Sequence, residues 1–208
     1  MPDLFLRRGF PNLYESVLRL PVIRNIRRQE HETLRRVFVE NLQSSDDVLE
    51  VGAGTGFYTF EIAGLVHSVK ALERATGMTR ILKQRIASSS VQNISVVESD
   101  FLLYSPAGKF DVVAAIGVLD SVIEWRPFLD RCISLAARRV ILTVPRSSVW
   151  ASLHSFFGGM MGLRIHVYDP SEFERHLRGL RLKLYETGLR MRWTHGLTLV
   201  AVIETNDV

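Results

Sequence analysis

A glycine-rich turn, Val48-Leu49-Glu50-Val51-Gly52-Ala53-Gly54-Thr55-Gly56, is the most chemically suggestive stretch of this 208-residue chain. Glycines at this spacing permit positive φ and let a ligand lie against the backbone. The turn follows an apolar run that reads as a strand and precedes one that reads as a helix. In doubly wound sheets, ligands bind at such junctions, beyond the carboxyl ends of the strands. Spacing narrows the ligand. A dinucleotide fingerprint places its third glycine where this chain has Phe57, and a phosphate-binding NTPase loop ends in Gly-Lys-Ser/Thr, which is absent. What remains is G-x-G-x-G with Glu50 two residues ahead. A second acid, Glu73, closes the next apolar run, 17 residues after Gly56 (73 − 56). A carboxylate near that separation can accept from both hydroxyls of a ribose. The bland alternatives are an ordinary tight turn and a solvated charge at a strand end.

Short apolar runs alternate with helical patterns around this turn. Asp47–Val51, Ser68–Glu73, Ile94–Glu98, Phe110–Gly117 and Val140–Val144 read as strands. Phe57–Val66, Thr76–Ala87 and Glu124–Ala137 read as helices between them. The continuous apolar run from Phe110 suits a parallel strand buried on both faces. Strands alternating with helices predict βαβ units in a doubly wound α/β sheet. Later, Asp169 or Ser171 caps a short helix reaching Arg178, and Leu182–Glu186 and Leu197–Ile203 close the chain as a hairpin at a sheet edge. Residues 1–43 read as a helical extension broken at Pro11 and Pro21, ahead of a domain spanning 44–208.

The turn together with its flanking motifs resembles the class I S-adenosylmethionine-dependent methyltransferases, whose first motif runs (V/L)-(L/D)-(E/D)-x-G-x-G-x-G. Glu73 followed by Met78 matches that family's acid and methionine. Ser99-Asp100-Phe101 matches its third-strand motif, and Phe110-Asp111-Val112-Val113 with Gly117-Val118-Leu119 its fourth. The likeness covers residues 44–144 in order. It implies a mostly parallel seven-stranded sheet with helices on both faces and an antiparallel last strand. It also implies S-adenosylmethionine as cofactor, held by Glu50, Gly52, Ala53, Gly54, Thr55, Gly56, Glu73, Arg74, Met78, Asp100, Phe101, Ile116 and Gly117. In that reading Glu73 grips the ribose, Asp100 accepts from the adenine amino group and Phe101 covers the ring. Phe101 reads equally well as core, and Asp111 better as a structural partner than as a catalyst.

Methyl transfer in this family is a direct in-line displacement. An oxygen or nitrogen acceptor can need a base, whereas an ionised carboxylate needs none. Asp120, three residues past Gly117, is the leading candidate base, with a helix cap or surface charge as its alternative. His166 and Tyr168 are further candidates, and share a face only if that stretch is extended. His154 is a weaker one, and Arg146 could hold an acidic substrate group. These four lie in or beside an insert, 146–168, rich in aromatics and methionine. That insert reads either as packing against the sheet or as an apolar substrate wall. The Thr143-Val144-Pro145-Arg146 and Tyr168-Asp169-Pro170-Ser171-Glu172-Phe173 arrangement resembles methyltransferases of quinone, tetrapyrrole or lipid-like substrates. The expected function is therefore methylation of a small, partly apolar molecule. RNA or protein methylation and a catalytically silent partner module are the alternatives.

Composition bounds the rest. Hydrophobic residues make up 47% and charged residues 23%, as in ordinary globular proteins. One cysteine, Cys132, excludes an intrachain disulfide and a cysteine zinc cluster. No H-x-x-x-H or H-E-x-x-H pair occurs, so no metal is expected. No apolar run approaches the ~20 residues of a membrane span, and Arg7-Arg8 is not followed by a signal-type apolar stretch, so a cytoplasmic location is expected. The net charge of +4 is thin for a nucleic-acid binder. Residues 1–40 carry eight Arg against five acids, a net of +3. This basic N-terminal segment reads as a lid over the cofactor, as a solvated helix face, or as a peripheral membrane contact.

Overall fold

A computed structural model describes residues 21–145, 170–187 and 198–205. The chain enters through helix α1 (Pro21–Asn41). Then follow β1 (Asp47–Val51), α2 (Thr59–Ala63), β2 (Ser68–Glu73), α3 (Thr76–Ala87), β3 (Ile94–Glu98) and β4 (Phe110–Ala115). A 3₁₀ turn (Leu119–Ser121) leads to α4 (Trp125–Leu135), β5 (Ala136–Pro145), α5 (Pro170–His176), β6 (Arg181–Thr187) and β7 (Thr198–Glu204).

Seven strands form one sheet in the order β3-β2-β1-β4-β5-β7-β6. The pairs β1–β2, β1–β4, β2–β3 and β4–β5 are parallel, while β7 runs antiparallel to both β5 and β6. The late hairpin is present, with β6 as the edge and β7 inserted beside β5. Strand order reverses between β1 and β4, so the carboxyl ends of those two strands flank a crevice.

Side chains alternate across the sheet with the period of two that strands impose. Leu49, Val113, Leu142 and Ala201 face one layer, where Phe128 and Leu129 of α4, Phe173 of α5 and Leu177 just after it meet them. Val48, Val112, Ile141 and Val202 face the other, where Ile62 of α2 and Leu34, Val37 and Phe38 of α1 pack. The carboxyl half of α1 is thus built into the core: Leu34, Val37 and Phe38 have no exposed surface. Its outer face carries exposed Arg28, Arg35 and Arg36, with Arg28–Glu32 at 3.7 Å and Arg36–Glu40 at 4.0 Å. No described helix is long and apolar enough to cross a membrane.

Several boundaries differ from the sequence reading: β5 starts at Ala136 rather than Val140, and the helix expected to reach Arg178, with Ser171 as a cap candidate, runs Pro170–His176 with Ser171 inside it. The strand expected over Phe110–Gly117 stops at Ala115, because Gly117 turns the chain with φ +67°. The helix expected to Ala137 stops at Leu135, and Ala136 already pairs with Phe110 of β4. Pairing in the sheet overrides the helical propensity of Ala136-Ala137. The helix after the glycine turn is trimmed to Thr59–Ala63, with Phe57 and Tyr58 in the turn before it. Asp111 lies far from the crevice: its Oδ2 accepts the Asp47 N–H at 2.8 Å, at the amino end of the sheet.

Truncating Phe38 to Ala removes a fully buried ring that joins α1 to the sheet. Buried Phe→Ala changes cost about 3–5 kcal/mol. Urea unfolding of Phe38→Ala should show a loss of that order, and a loss below about 1 kcal/mol would mean that α1 is not part of the cooperative core.

Candidate cofactor site

The glycine turn is anchored from below. The N–H groups of Gly52 and Ala53 donate to Leu72 O at 2.8 and 3.1 Å, and Gly56 N–H donates to Ala53 O at 2.9 Å. Gly52, Gly54 and Gly56 all have positive φ, at +71°, +57° and +87°. Their roles differ. A Cβ on Gly56 would lie 2.4 Å from Leu82 Cδ1 of α3, and one on Gly52 would lie 2.6 Å from Val118 Cγ2. Those two glycines allow close packing. Gly54 and Gly117 face no atom within 4 Å, so their open sides border free space. Gly117 N–H donates to the buried Thr143 hydroxyl at 2.7 Å, which fixes the turn after β4.

Glu73 lies at the rim of this space and is buried. Its Oε2 accepts the Gly54 N–H at 2.9 Å and its Oε1 accepts the Ala75 N–H at 2.7 Å. The carboxylate therefore ties the β2 end to the glycine turn, and each oxygen retains a second lone pair. Glu50 is almost fully buried beneath the turn, and its Oε2 has no hydrogen-bond partner among the described residues. Loss of water pushes its carboxyl up to about 8; the neighbouring Thr59 hydroxyl lowers it and the Glu73 charge raises it further. Thr59 Oγ1 is close enough for that effect, yet it too is buried without hydrogen-bond geometry to a described partner. A ligand cation beside Glu50 would favour its charged form and bring the carboxyl back down.

Of the remaining expected residues, Ala53, Thr55, Met78 and Ile116 are buried. The Thr55 carbonyl accepts Arg85 Nη1 at 2.7 Å, a clamp from α3. Asp100 follows β3: its Oδ1 accepts the Leu102 N–H at 2.8 Å, and its Oδ2 lies 3.9 Å from exposed Arg74. Phe101 is 7% exposed and packs edge-on against Phe128, with ring centroids 5.0 Å apart. Its ring belongs to the core, and of the two readings open in the sequence the packing favours that one. Asp120 lies in the 3₁₀ turn after β4, partly buried. Burial pushes its carboxyl up to about 6, against a smaller lowering by the Ser121 and Asp120 backbone N–H groups. Arg146, His154, His166 and Tyr168 lie outside the described residues. No group of three or more metal-ligating side chains occurs among the described residues.

Leu82 and Arg85 support the site without any local signal in the sequence, and Thr143 and Val118, though inside recognised motifs, support it through contacts that those motifs do not announce. Each acts across the fold, from β5, the β4 turn or α3, and would be found only once strand order and helix packing were known. His31 of α1 is another. It contacts Glu61 of α2 and stacks edge-on to Phe57 at 5.4 Å, which ties the N-terminal helix to the exit of the glycine turn.

Comparison with known proteins agrees with this geometry. Residues 48–138 match the methyltransferase domain family. The chain is 33% identical over 150 residues to protein-L-isoaspartate O-methyltransferase 1 of Geotalea uraniireducens (strain Rf4), covering 67% of this chain and 63% of that one. It is 31% identical over 94 residues to an rRNA adenine N-6-methyltransferase of Bacteroides fragilis, covering 42% and 35%. It spans 29%, 40% and 63% of the length of three protein-L-isoaspartate O-methyltransferases that it matches. In fold it is similar to the magnesium protoporphyrin IX methyltransferase of Synechocystis PCC 6803 with bound SAH, with a TM-score of 0.77, 19% identity and coverage of 97% and 96%. It is also similar to DhpI in its SAH complex, with a TM-score of 0.67, 18% identity and coverage of 94% and 93%. Residues 48–138 thus carry a methyltransferase domain, and the fold around it is that of class I S-adenosylmethionine-dependent methyltransferases.

Two measurements test the site's construction. Gly54→Ala meets only backbone strain, about 1–2 kcal/mol, whereas Gly56→Ala adds an overpacking cost of about 1–3 kcal/mol. Gly56→Ala should therefore melt at the lower temperature; equal melting would mean that Leu82 moves aside freely. The second concerns pH. The folded Glu50 carboxyl titrates above its ordinary 4.5, so its contribution to stability is fully present below 4.5 and is lost as pH rises through about 8. Ligand-free Glu50→Gln should lose less stability than the parent between pH 5 and pH 8.5. Parallel melting curves for the two proteins across that range would exclude a neutral buried Glu50.

Proposed function

We propose that this protein transfers a methyl group from S-adenosylmethionine to a small, partly apolar acceptor by in-line displacement. The observation that carries the reading is an acid-lined glycine cradle at the β1/β4 switch point; a partly buried Asp120 follows three residues past Gly117. Gly54 and Gly117 offer open backbone, Glu73 offers spare acceptor capacity, and Glu50 offers a buried oxygen lacking a donor. That donor set fits a cofactor bearing a ribose and two cationic centres. Glu73 would hold the ribose, Asp100 the adenine amino group, and the Glu50–Glu73 pair would favour the cationic end. When bound, the cofactor supplies an activated methyl on sulfonium sulfur.

The rest of the work falls to the protein. The fixed turns at 52–56 and 116–118 align the site, since in-line displacement depends on orientation. Asp120, with its carboxyl near pH 6, is ionised at neutral pH and takes the proton of an acceptor hydroxyl or amine. A small acceptor is supported by the fold likeness to a magnesium protoporphyrin IX methyltransferase over nearly the whole chain. RNA adenine methylation is disfavoured because Ile116-Gly117-Val118-Leu119 stands where amino-group methylases of bases carry Asn/Asp-Pro-Pro-Tyr. Protein carboxyl methylation is the second reading, favoured by the 33% identity to an isoaspartate methyltransferase.

Calorimetric titration with S-adenosylhomocysteine should give micromolar binding by the parent and none by folded Gly54→Arg. No binding by the parent would remove the cofactor assignment. With radiolabelled cofactor, a screen of quinols, porphyrin acids, lipids and isoaspartyl peptides should label one of the first three classes; labelling of the peptide alone would install the second reading. On a hydroxyl or amine acceptor, turnover should rise through about pH 6, and Asp120→Asn should lower it about 10²-fold or more with cofactor affinity unchanged. Full turnover by Asp120→Asn would return Asp120 to a structural role.

A further inference from the structure

The connection from β3 to β4 contains no helix; residues 101–103 turn, and the chain then runs irregularly to Phe110. Within it the Asp100 carbonyl accepts the Leu103 and Tyr104 N–H groups at 3.1 and 2.9 Å. The carbonyls of Phe101 and Tyr104 are left pointing outward from that turn, and both are taken by one side chain. Arg131 of α4 donates through Nε to Phe101 O at 3.0 Å and through Nη2 to Tyr104 O. Its guanidinium also lies over the Phe101 ring, 5.6 Å from the centroid. A planar fork of N–H donors suits this two-point capture, which an ammonium cannot reproduce. No carboxylate is bound by these two donors; both are spent on backbone that immediately follows Asp100.

We propose that Arg131 is a positioning residue for the adenine end of the cofactor site, holding the 100–104 turn so that the Asp100 carboxylate faces the adenine amino group. The inference rests on the methyltransferase reading of the site. Arg131 makes no contact with the cofactor itself. Its effect is on selectivity: a fixed Asp100 accepts from an amino group and opposes a carbonyl oxygen at the same place. A loosened turn lets Asp100 swing to solvent, and the two bases then bind more equally.

The test compares S-adenosylhomocysteine with S-inosylhomocysteine, in which a carbonyl replaces the adenine amino group. Dissociation constants are measured for the parent, Arg131→Met, Arg131→Lys and Asp100→Ala, with thermal melting as the check on folding. The parent should prefer the adenosyl compound by about tenfold or more, the scale of one charge-assisted hydrogen bond. Asp100→Ala should abolish the preference. Arg131→Met should reduce it at least threefold, and Arg131→Lys, able to reach one carbonyl, should fall between. A variant that is merely less stable would weaken both ligands alike and leave their ratio unchanged. If Arg131→Met does not fold, the lysine variant decides alone. An unchanged ratio in the folded variants overturns the proposal, as does a parent with no preference. A parent that binds neither compound refutes the cofactor reading and this inference with it.

Discussion

The site depends on one carboxylate. In the turn with three left-handed glycines, backbone carbonyls meet the Gly52, Ala53 and Gly56 N–H groups but not that of Gly54, and an unsatisfied buried N–H is costly. Glu73 answers the Gly54 N–H with one oxygen and the Ala75 N–H with the other. The β1 turn and the start of α3 are thereby locked to the end of β2 before any ligand arrives. The same oxygens keep lone pairs for a ligand's hydroxyls, so one group sets the shape of the cradle and part of its specificity.

That arrangement has an electrostatic consequence. With Glu73 charged and hydrogen-bonded, a second charge at Glu50 beneath the same turn is penalised by burial and by repulsion, in that order. Glu50 is therefore held neutral at neutral pH, and a cation beside it would favour its charged form. S-adenosylmethionine carries a sulfonium and an ammonium; S-adenosylhomocysteine has lost the first. Glu73, and Glu50 once a cation beside it favours ionisation, would hold the charged cofactor more tightly than its neutral-sulfur product.

Much of this was legible in the residues. β1, β2 and β3 are bounded by Asp47, Ser68, Glu73 and Glu98, polar residues that end apolar runs cleanly, and the structure begins and ends those strands at the expected positions. The G-x-G-x-G turn and Glu73 announce themselves by spacing. Where the reading slipped, a tertiary effect had overruled a local one. Ile116 continues an apolar run, yet Gly117 swings away because Thr143, on another strand, captures its N–H. Ala136-Ala137 suits a helix and is pulled into β5 by Phe110. Strand order could not be read, because it depends on which crossovers pack and not on any one segment. Phe101 shows the limit for site residues: an aromatic after β3 suits core and ligand wall equally until its neighbours, Phe128 and Arg131, are known.

The two layers of the sheet divide the labour. On one, α1 and α2 bury aliphatic and aromatic side chains against β1, β4, β5 and β7, while His31, through Phe57, and Thr59 reach toward the glycine turn. On the other, α4 packs Phe128 and Leu129 into the core while sending Arg131 to the β3 turn, and its N-terminal Trp125 stacks on Phe173 and His176 of α5. Helix α4 therefore touches the Asp100 turn at one end and, at the other, the helix that follows residues 146–169. A displacement of α4 would be felt at both places, because a close-packed helix moves as a unit. Coupling between the Asp100 turn and α5 thus needs no dedicated hinge. It follows from hanging both on one short amphipathic helix.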